Sequence, residues 1–182
     1  TLPPPITYSY VDLGLPSGTK WATMNVGAKK PSDYGLYFQW GDTSGYTEEQ
    51  IGTSDGQKKF AQDYSDYKWH LSGSTDADIA FTKYTTTGAT LELEDDAAHV
   101  HMGGSWHMPS PKQIWELFDN TTTGETFVDG VSGMAFTSKK DSSKSIFIPA
   151  AGSALDGLNN DPFGDVWSSM LDLYYVNYGS LL

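Results

Sequence analysis

LELEDDAAHVHMGGSWHMPSPKQIWELFDN, residues 91–120, holds the two helices that the sequence predicts. The clearer one begins at Ser110, a good N-cap, followed by a proline at the first helical position and by Gln113, which completes a capping box. Apolar residues then recur at the spacing of one buried helical face: Ile114, Leu117 and Phe118. The pattern predicts a helix from Ser110 to about Asn120 with that face in the core.

A second, shorter helix is predicted over residues 94–102. Its first turn is acidic, where the helix dipole favours carboxylates: Glu94, Asp95 and Asp96. Gly103 and Gly104 follow and provide a typical helix end. Residues 94–107 carry three histidines, so this region is also the first candidate for a metal site.

This stretch contains enough potential ligands for a metal site, but their spacing does not match a known metal-binding pattern. His99 and His101 are two apart, which places them on one face of a strand but splays them on a helix, and His107 is the nearest third ligand for zinc. Oxygen ligands for calcium are plentiful, yet no Asp-x-Asp-x-Asp-Gly loop occurs. We therefore predict structural histidines and neither a metal nor another cofactor.

Charge and composition exclude several classes of partner and chemistry. The 182-residue chain has a formal net charge of −12, so a nucleic acid or an anionic membrane surface is a poor partner. Cysteine is absent, which removes disulfides, thiolate zinc sites and cysteine nucleophiles. No apolar run is long enough for membrane insertion.

Elsewhere the sequence predicts short strands in an α+β domain with much irregular structure. Residues 8–28 give two strands around a Pro-Ser-Gly turn, and residues 34–41 give an aromatic strand. The stretch 43–90 is polar, so it is predicted to form segments that extend away from the core and not a second domain. Further strand candidates are 134–138, 145–152, 165–171 and 173–179. Residues 1–7, rich in proline, are interpreted as a linker from an upstream region, and residues 8–182 as a single domain.

Several blocks occur in a fixed order that resembles a known family: VDLGLPSGTKWATMNVGA, YGLYFQWGDT, FTKY, LELEDDAAH, GGSWHMPS, SIFIPAAG and VWSS. They are similar to the Fibrobacter succinogenes major paralogous domain family, over about residues 8–179. The resemblance implies a C-type lectin-like fold of the formylglycine-generating-enzyme type, with short twisted antiparallel strands. It is close to hypervariable proteins of gut Bacteroides phages and prophages and to variable proteins of diversity-generating retroelements. Family members usually end on a further closing strand, which is expected to be missing here.

Catalysis is not expected. The chemistry of the formylglycine-generating relatives depends on cysteine, which this chain lacks. With 23 Asp and Glu residues, some pair could always be chosen as glycosidase carboxylates, so such a pair is not evidence for that activity. Ser168 and Ser169 do not lie in a GxSxG motif, which a serine hydrolase nucleophile would need.

The C-terminal third has the composition of a recognition surface. Tyr, Asn, Ser, Asp and Gly, the residues of antibody paratopes, dominate residues 153–182. The predicted ligand-binding residues are Asn159, Asn160, Phe163, Asp172, Tyr174, Tyr175, Asn177 and Tyr178. Buried support beneath them is expected from Trp106, Phe147 and Trp167.

These observations predict a binding domain that presents a variable C-terminal surface for host attachment. The expected partner is a host-surface protein or glycan, and the expected setting is the virion surface of a phage tail or a bacterial cell surface. A homo-oligomer such as a trimer is compatible with this setting. The alternative is a structural or adhesion module of a bacterial surface lipoprotein, and a hydrolase is the third hypothesis.

Overall fold

A computed structural model describes residues 6–52, 64–74, 80–152, 164–171 and 180–181. Three helices and seven strands are assigned within these ranges. In chain order they are β1 (Tyr10–Val11), β2 (Trp21–Ala22), α1 (Glu48–Ile51), α2 (Ala97–Met102), α3 (Pro111–Asn120), β3 (Thr121–Val128), β4 (Val131–Ser138), β5 (Ser145–Pro149), β6 (Gly164–Asp165) and β7 (Ser180–Leu181). All strand pairings between these elements are antiparallel, so the α+β class is confirmed.

Helix α3 forms where the sequence predicts it. The Ser110 hydroxyl accepts from the backbone N–H of Gln113, and the Gln113 side chain accepts from the backbone N–H of Ser110. Ile114 and Leu117 are buried as predicted. Phe118 is only half-buried, but its ring meets the ring of Phe136 edge-on at 5.2 Å, so it still packs on the core.

The central sheet has the order β3-β4-β5. Asp129 and Gly130 connect β3 to β4 with φ of 51° and 81°, the two positive values of a type I′ hairpin turn. From Val128↔Val131 the pairing runs without a bulge to Thr121↔Ser138. Strand β3 is not among the predicted strands, whereas β4 and β5 match the predictions for 134–138 and 145–152.

Two hydrophobic clusters form the core among the described residues. One lies between α3 and the sheet and contains Leu13, Leu15, Leu117, Phe136 and Ile146. The other contains Trp40, Phe81, Tyr84, Leu91, Ala97, Ala98, Met108 and Leu171. Because Phe81 and Tyr84 belong to the second cluster, the polar stretch 43–90 contributes side chains to the core, which was not predicted.

Other predictions were wrong in detail. Residues 34–41 form one isolated bridge, Tyr37↔Tyr46, instead of a strand, since Gly35 and Gly41 turn the chain with positive φ. Residues 165–171 contain the end of β6 and an isolated bridge at Met170.

The N-terminal and acidic predictions fared better. The two strands predicted within 8–28 are β1 and β2, which pair antiparallel, and the turn between them is closed by the N–H of Gly18 on the carbonyl of Leu15. The helix predicted over 94–102 is a 3₁₀ turn, Leu93–Asp95, followed by α2, because Asp96 between them is extended. Gly103, with a φ of 72°, ends α2 as expected.

Candidate functional site

The predicted ligand-binding residues fall in two segments that lie outside the described residues. Segment 153–163 carries Asn159, Asn160 and Phe163; segment 172–179 carries Asp172, Tyr174, Tyr175, Asn177 and Tyr178. The structure describes the residues at the ends of both segments. Those ends establish how the two segments are attached to the fold.

Three of the four ends meet at one place. Gly152 and Gly164 form a parallel bridge, so the first segment leaves and returns at neighbouring positions. Gly164 also pairs with Leu181, and Asp165 pairs with Ser180. The backbone is tightly packed here, since a Cβ on Gly164 would lie 2.8 Å from the carbonyl oxygen of Pro149. Segment 172–179 therefore returns at β7, which pairs with β6, the strand at which segment 153–163 returns.

The fourth end, Leu171, is fixed by backbone hydrogen bonds. Its N–H donates to the carbonyl of Ala89, and its carbonyl accepts from Gly88, both at 2.8 Å. Two residues earlier, Ser169 donates to the carbonyl of Pro109 and accepts from the N–H of Leu91, again at 2.8 Å. Residues 169–171 are thus held between two parts of the 88–109 region.

A reciprocal pair of tryptophans attaches the same region to residues 37–40. The indole N–H of Trp40 donates to the carbonyl of Ser168, and that of Trp167 donates to the carbonyl of Phe38, both at 2.8 Å. The hydroxyl of Tyr37 donates to the carbonyl of Ala151 at 2.7 Å, one residue before the Gly152 bridge. Burial, with a contribution from nearby Glu48, raises the pKa of the Tyr37 phenol, which keeps it protonated as a donor.

The predicted supporting side chains are less buried than expected. Trp106, Phe147 and Trp167 are each half-buried. Trp167 packs one side against the second core cluster. Phe147 follows the buried Ile146, so strand alternation turns it to the opposite face of the sheet, where it covers Gly133.

The acidic stretch is an ion-pair network around one buried carboxylate. Asp95 accepts from Lys83 at 2.6 Å, from the hydroxyl of Tyr84 at 2.7 Å and from Lys68 at 3.1 Å. Burial raises the pKa of Asp95, but these hydrogen bonds lower it by more, so the net shift is downward. Hydrogen bonds to Asp95 and Glu92 raise the pKa of Lys83, which stays charged. The network therefore holds an ionised Asp95 in the fold.

The acidic group also has the spacing of a cation site. Carboxylate oxygens of Glu92, Glu94 and Asp95 lie within 4.8 Å of one another. However, the ammonium of Lys83 lies 2.8, 3.4 and 2.6 Å from these three carboxylates. A lysine thus already supplies the positive charge that a metal ion would bring.

The histidines of this stretch point to different backbone carbonyls. The Nδ1 of His99 lies 3.1 Å from the carbonyl of Trp106, and the Nε2 of His101 lies 2.8 Å from that of Thr43. The Nδ1 of His107 lies 2.8 Å from the carbonyl of Met108. Each ring has a structural partner of its own, and the geometry does not bring the three together.

Sequence reasoning missed the partners of Asp95. Lys68 and Lys83 lie 27 and 12 residues away along the chain, and Tyr84 reaches Asp95 from an unusual backbone conformation with a φ of 58°. A signal existed for Asp96, because an Asp before an apolar helical run is a common N-cap. Its side chain indeed accepts from the N–H of His99.

Comparisons with family models, with curated proteins and with solved structures found no match to this chain. Among the described residues, no helix combines the length and the apolar character that crossing a membrane requires.

Proposed function

We propose that this protein is a non-enzymatic binding domain with a C-type lectin-like fold, whose C-terminal surface recognises a receptor. The observation that carries the proposal is the convergence of Gly152, Gly164 and Leu181. The segment that carries Asn159 and Asn160 and the segment that carries three tyrosines are both attached at this place, which supports assigning them to one recognition surface. Such residues give large contact area and adaptable hydrogen bonds.

The contacts that hold the ends of the two segments are compatible with a variable surface. The reciprocal Trp40 and Trp167 bonds and the bridge at Gly152 use backbone carbonyls as acceptors, so they do not depend on the side chains of segments 153–163 and 172–179. Residues in those segments can change without removing these bonds. This property suits the hypervariable, retroelement-diversified proteins that the sequence resembles.

The net charge of the chain limits the classes of partner. A net charge of −12 opposes binding to polyanions, which favours a host-surface protein or an uncharged glycan over nucleic acid. The setting that fits host attachment is a phage tail at the virion surface or a bacterial cell surface. Catalysis is disfavoured, since cysteine is absent and Asp95 is bonded to lysines.

Binding of the purified protein to a panel of gut Bacteroides strains tests the proposal. Tyr174→Ala and Tyr175→Ala should each weaken binding to a responsive strain about fivefold or more, because aromatic anchors carry about 1 kcal/mol or more at such surfaces. The matched control is Tyr10→Ala, which removes an exposed tyrosine on β1. Flow cytometry with labelled protein gives the dissociation constant.

Two outcomes would contradict the proposal. One is unchanged binding of both tyrosine variants, which the structural or adhesion module predicts. The other is an equal loss for Tyr10→Ala. Unfolding midpoints within a few degrees of the parent protein must accompany the binding data, so that loss of binding is not loss of fold.

A further inference from the structure

The turn between β3 and β4 is an Asp-Gly pair, Asp129–Gly130, in which both residues have positive φ. The sequence has two other Asp-Gly pairs, Asp55–Gly56 and Asp156–Gly157, which lie outside the described residues. Asp-Gly is the dipeptide most prone to spontaneous isomerisation, because glycine has no side chain to shield its backbone nitrogen. The β3–β4 turn is therefore a candidate site of covalent modification.

The isomerisation needs only these two residues and water. The backbone nitrogen of Gly130 attacks Cγ of Asp129 and loses its proton, and one carboxyl oxygen leaves as water, which closes a succinimide ring. Water then reopens the ring, either at Cγ, which restores aspartate, or at the main-chain carbonyl carbon, which gives isoaspartate. Ring closure requires a protonated carboxyl group, since an ionised carboxylate has no neutral leaving group.

The attacking nitrogen is uncovered in the folded chain. The N–H of Gly130 donates to no acceptor among the described residues. Apart from its chain neighbours, no described atom lies within 4 Å of the position that a Cβ on Gly130 would take. Protection against the attack is thus left to the Asp129 carboxylate and to the conformation of the turn.

The Asp129 carboxylate is held by two residues from a distant part of the chain. Its Oδ2 accepts from the hydroxyl of Ser32 at 2.8 Å and from the ammonium of Lys30 at 3.1 Å. Ser32 is 3% exposed, whereas the side chains of Lys30 and Asp129 are each 55% exposed, so solvent screens the ion pair. Both bonds favour the ionised form and lower the pKa of Asp129, Ser32 contributing most. The protonated form that can react is therefore depleted.

We propose that Asp129–Gly130 is a latent isoaspartate site, which Ser32 and Lys30 protect by binding its carboxylate. The protection has a structural consequence, because isoaspartate routes the main chain through Cβ and lengthens a turn of only two residues. Strands β3 and β4 pair in continuous register from Val128↔Val131 onward, so a longer turn would disturb the central sheet where its register begins.

Peptide mapping of the purified protein, aged at body temperature in mildly acidic buffer, tests the proposal. Endoproteinase Asp-N cleaves before aspartate but not before isoaspartate, so the uncleaved fraction at Asp129 gives the isomerisation rate. The folded parent should isomerise there more slowly than the same chain unfolded in urea. Ser32→Ala should raise the rate about threefold or more, the loss of a charge-assisted hydrogen bond discounted for an exposed carboxylate. Lys30→Ala should raise it less, because that ion pair is screened.

Ser143→Ala is the matched control, since the Ser143 hydroxyl donates in the same way to a different carboxylate, that of Asp141. Its rate at Asp129 should equal that of the parent. Equal rates in the folded parent and in urea would overturn the proposal. Parent-like rates in both Ser32→Ala and Lys30→Ala would also overturn it, because the turn conformation alone would then protect the site. If Ser32→Ala does not fold, Lys30→Ala, which changes an exposed side chain, decides by the same criterion.

Discussion

Replacing Leu117 by alanine tests the packing of helix α3 on the sheet. Leu117 is 2% exposed and belongs to a cluster with Leu13, Phe136 and Ile146, which come from three other parts of the chain. Buried Leu→Ala changes cost about 2.7–5 kcal/mol, and more when the surroundings cannot close the cavity. Because neighbours on a paired sheet cannot move in independently, we expect about 3–5 kcal/mol, a large part of a typical stability of about 5–15 kcal/mol.

Urea unfolding followed by tryptophan fluorescence measures this loss, with the slope of the transition checked for two-state behaviour. The control is Trp115→Ala on the same helix, where the side chain is 68% exposed and the cost should stay within about 0.5 kcal/mol. A loss below about 1 kcal/mol for Leu117→Ala, or an equal loss for the control, would refute the assignment of this helical face to the core.

Two further predictions concern the acidic stretch. Asp95→Asn should lower stability by about 1–3 kcal/mol at pH 7, discounted for the partial exposure of both lysines. The pKa of Asp95 is lowered in the folded protein, so its stabilising contribution is present above about pH 4 and is lost as the pH falls through the folded-state pKa. The unfolding free energies of parent and variant should therefore converge in acid. A difference between them that does not change with pH would argue against the ion pairs. Separately, EDTA should leave the melting temperature unchanged, since the Lys83 ammonium already bridges the three carboxylates. A large drop reversed by calcium or zinc would show that a metal is bound.

The parts of the fold that the sequence predicted well are those specified locally. The capping box of Ser110 and Gln113 and the spacing of Ile114 and Leu117 determine α3 within one stretch of chain. The end of α2 at Gly103 is equally local, because a positive φ follows from the residue type.

Strand β3 was missed because its pattern is not amphipathic. Thr121 is buried, residues 122–125 are exposed, and Gly124 interrupts the run, so no period of two is visible. Asp129-Gly130 was a usable hairpin signal, which together with the apolar residues on either side could have placed both strands. The strand is formed by its pairing with β4, not by its own side chains.

The site was predictable in composition but not in its contacts. Tyr and Asn in the C-terminal third are visible in the sequence, whereas the Gly152–Gly164 bridge and the tryptophan bonds join residues too far apart for any local pattern. The same limit explains why Asp95 was assigned to a helix N-terminus. Its partners Lys68 and Lys83 are brought to it by tertiary structure alone.

Asp95 and Asp96 position the two chain segments that flank the acidic stretch. Asp95 fixes the segment that begins at Leu91, through Lys83 and Tyr84, while Asp96 accepts from the backbone N–H of Met108 at 2.8 Å. Residues 91 and 109 are the two that bond Ser169, on its carbonyl and on its N–H. Neighbouring carboxylates therefore hold the two chain segments that bond Ser169. These two acids thus position residues 169–171, which directly precede segment 172–179.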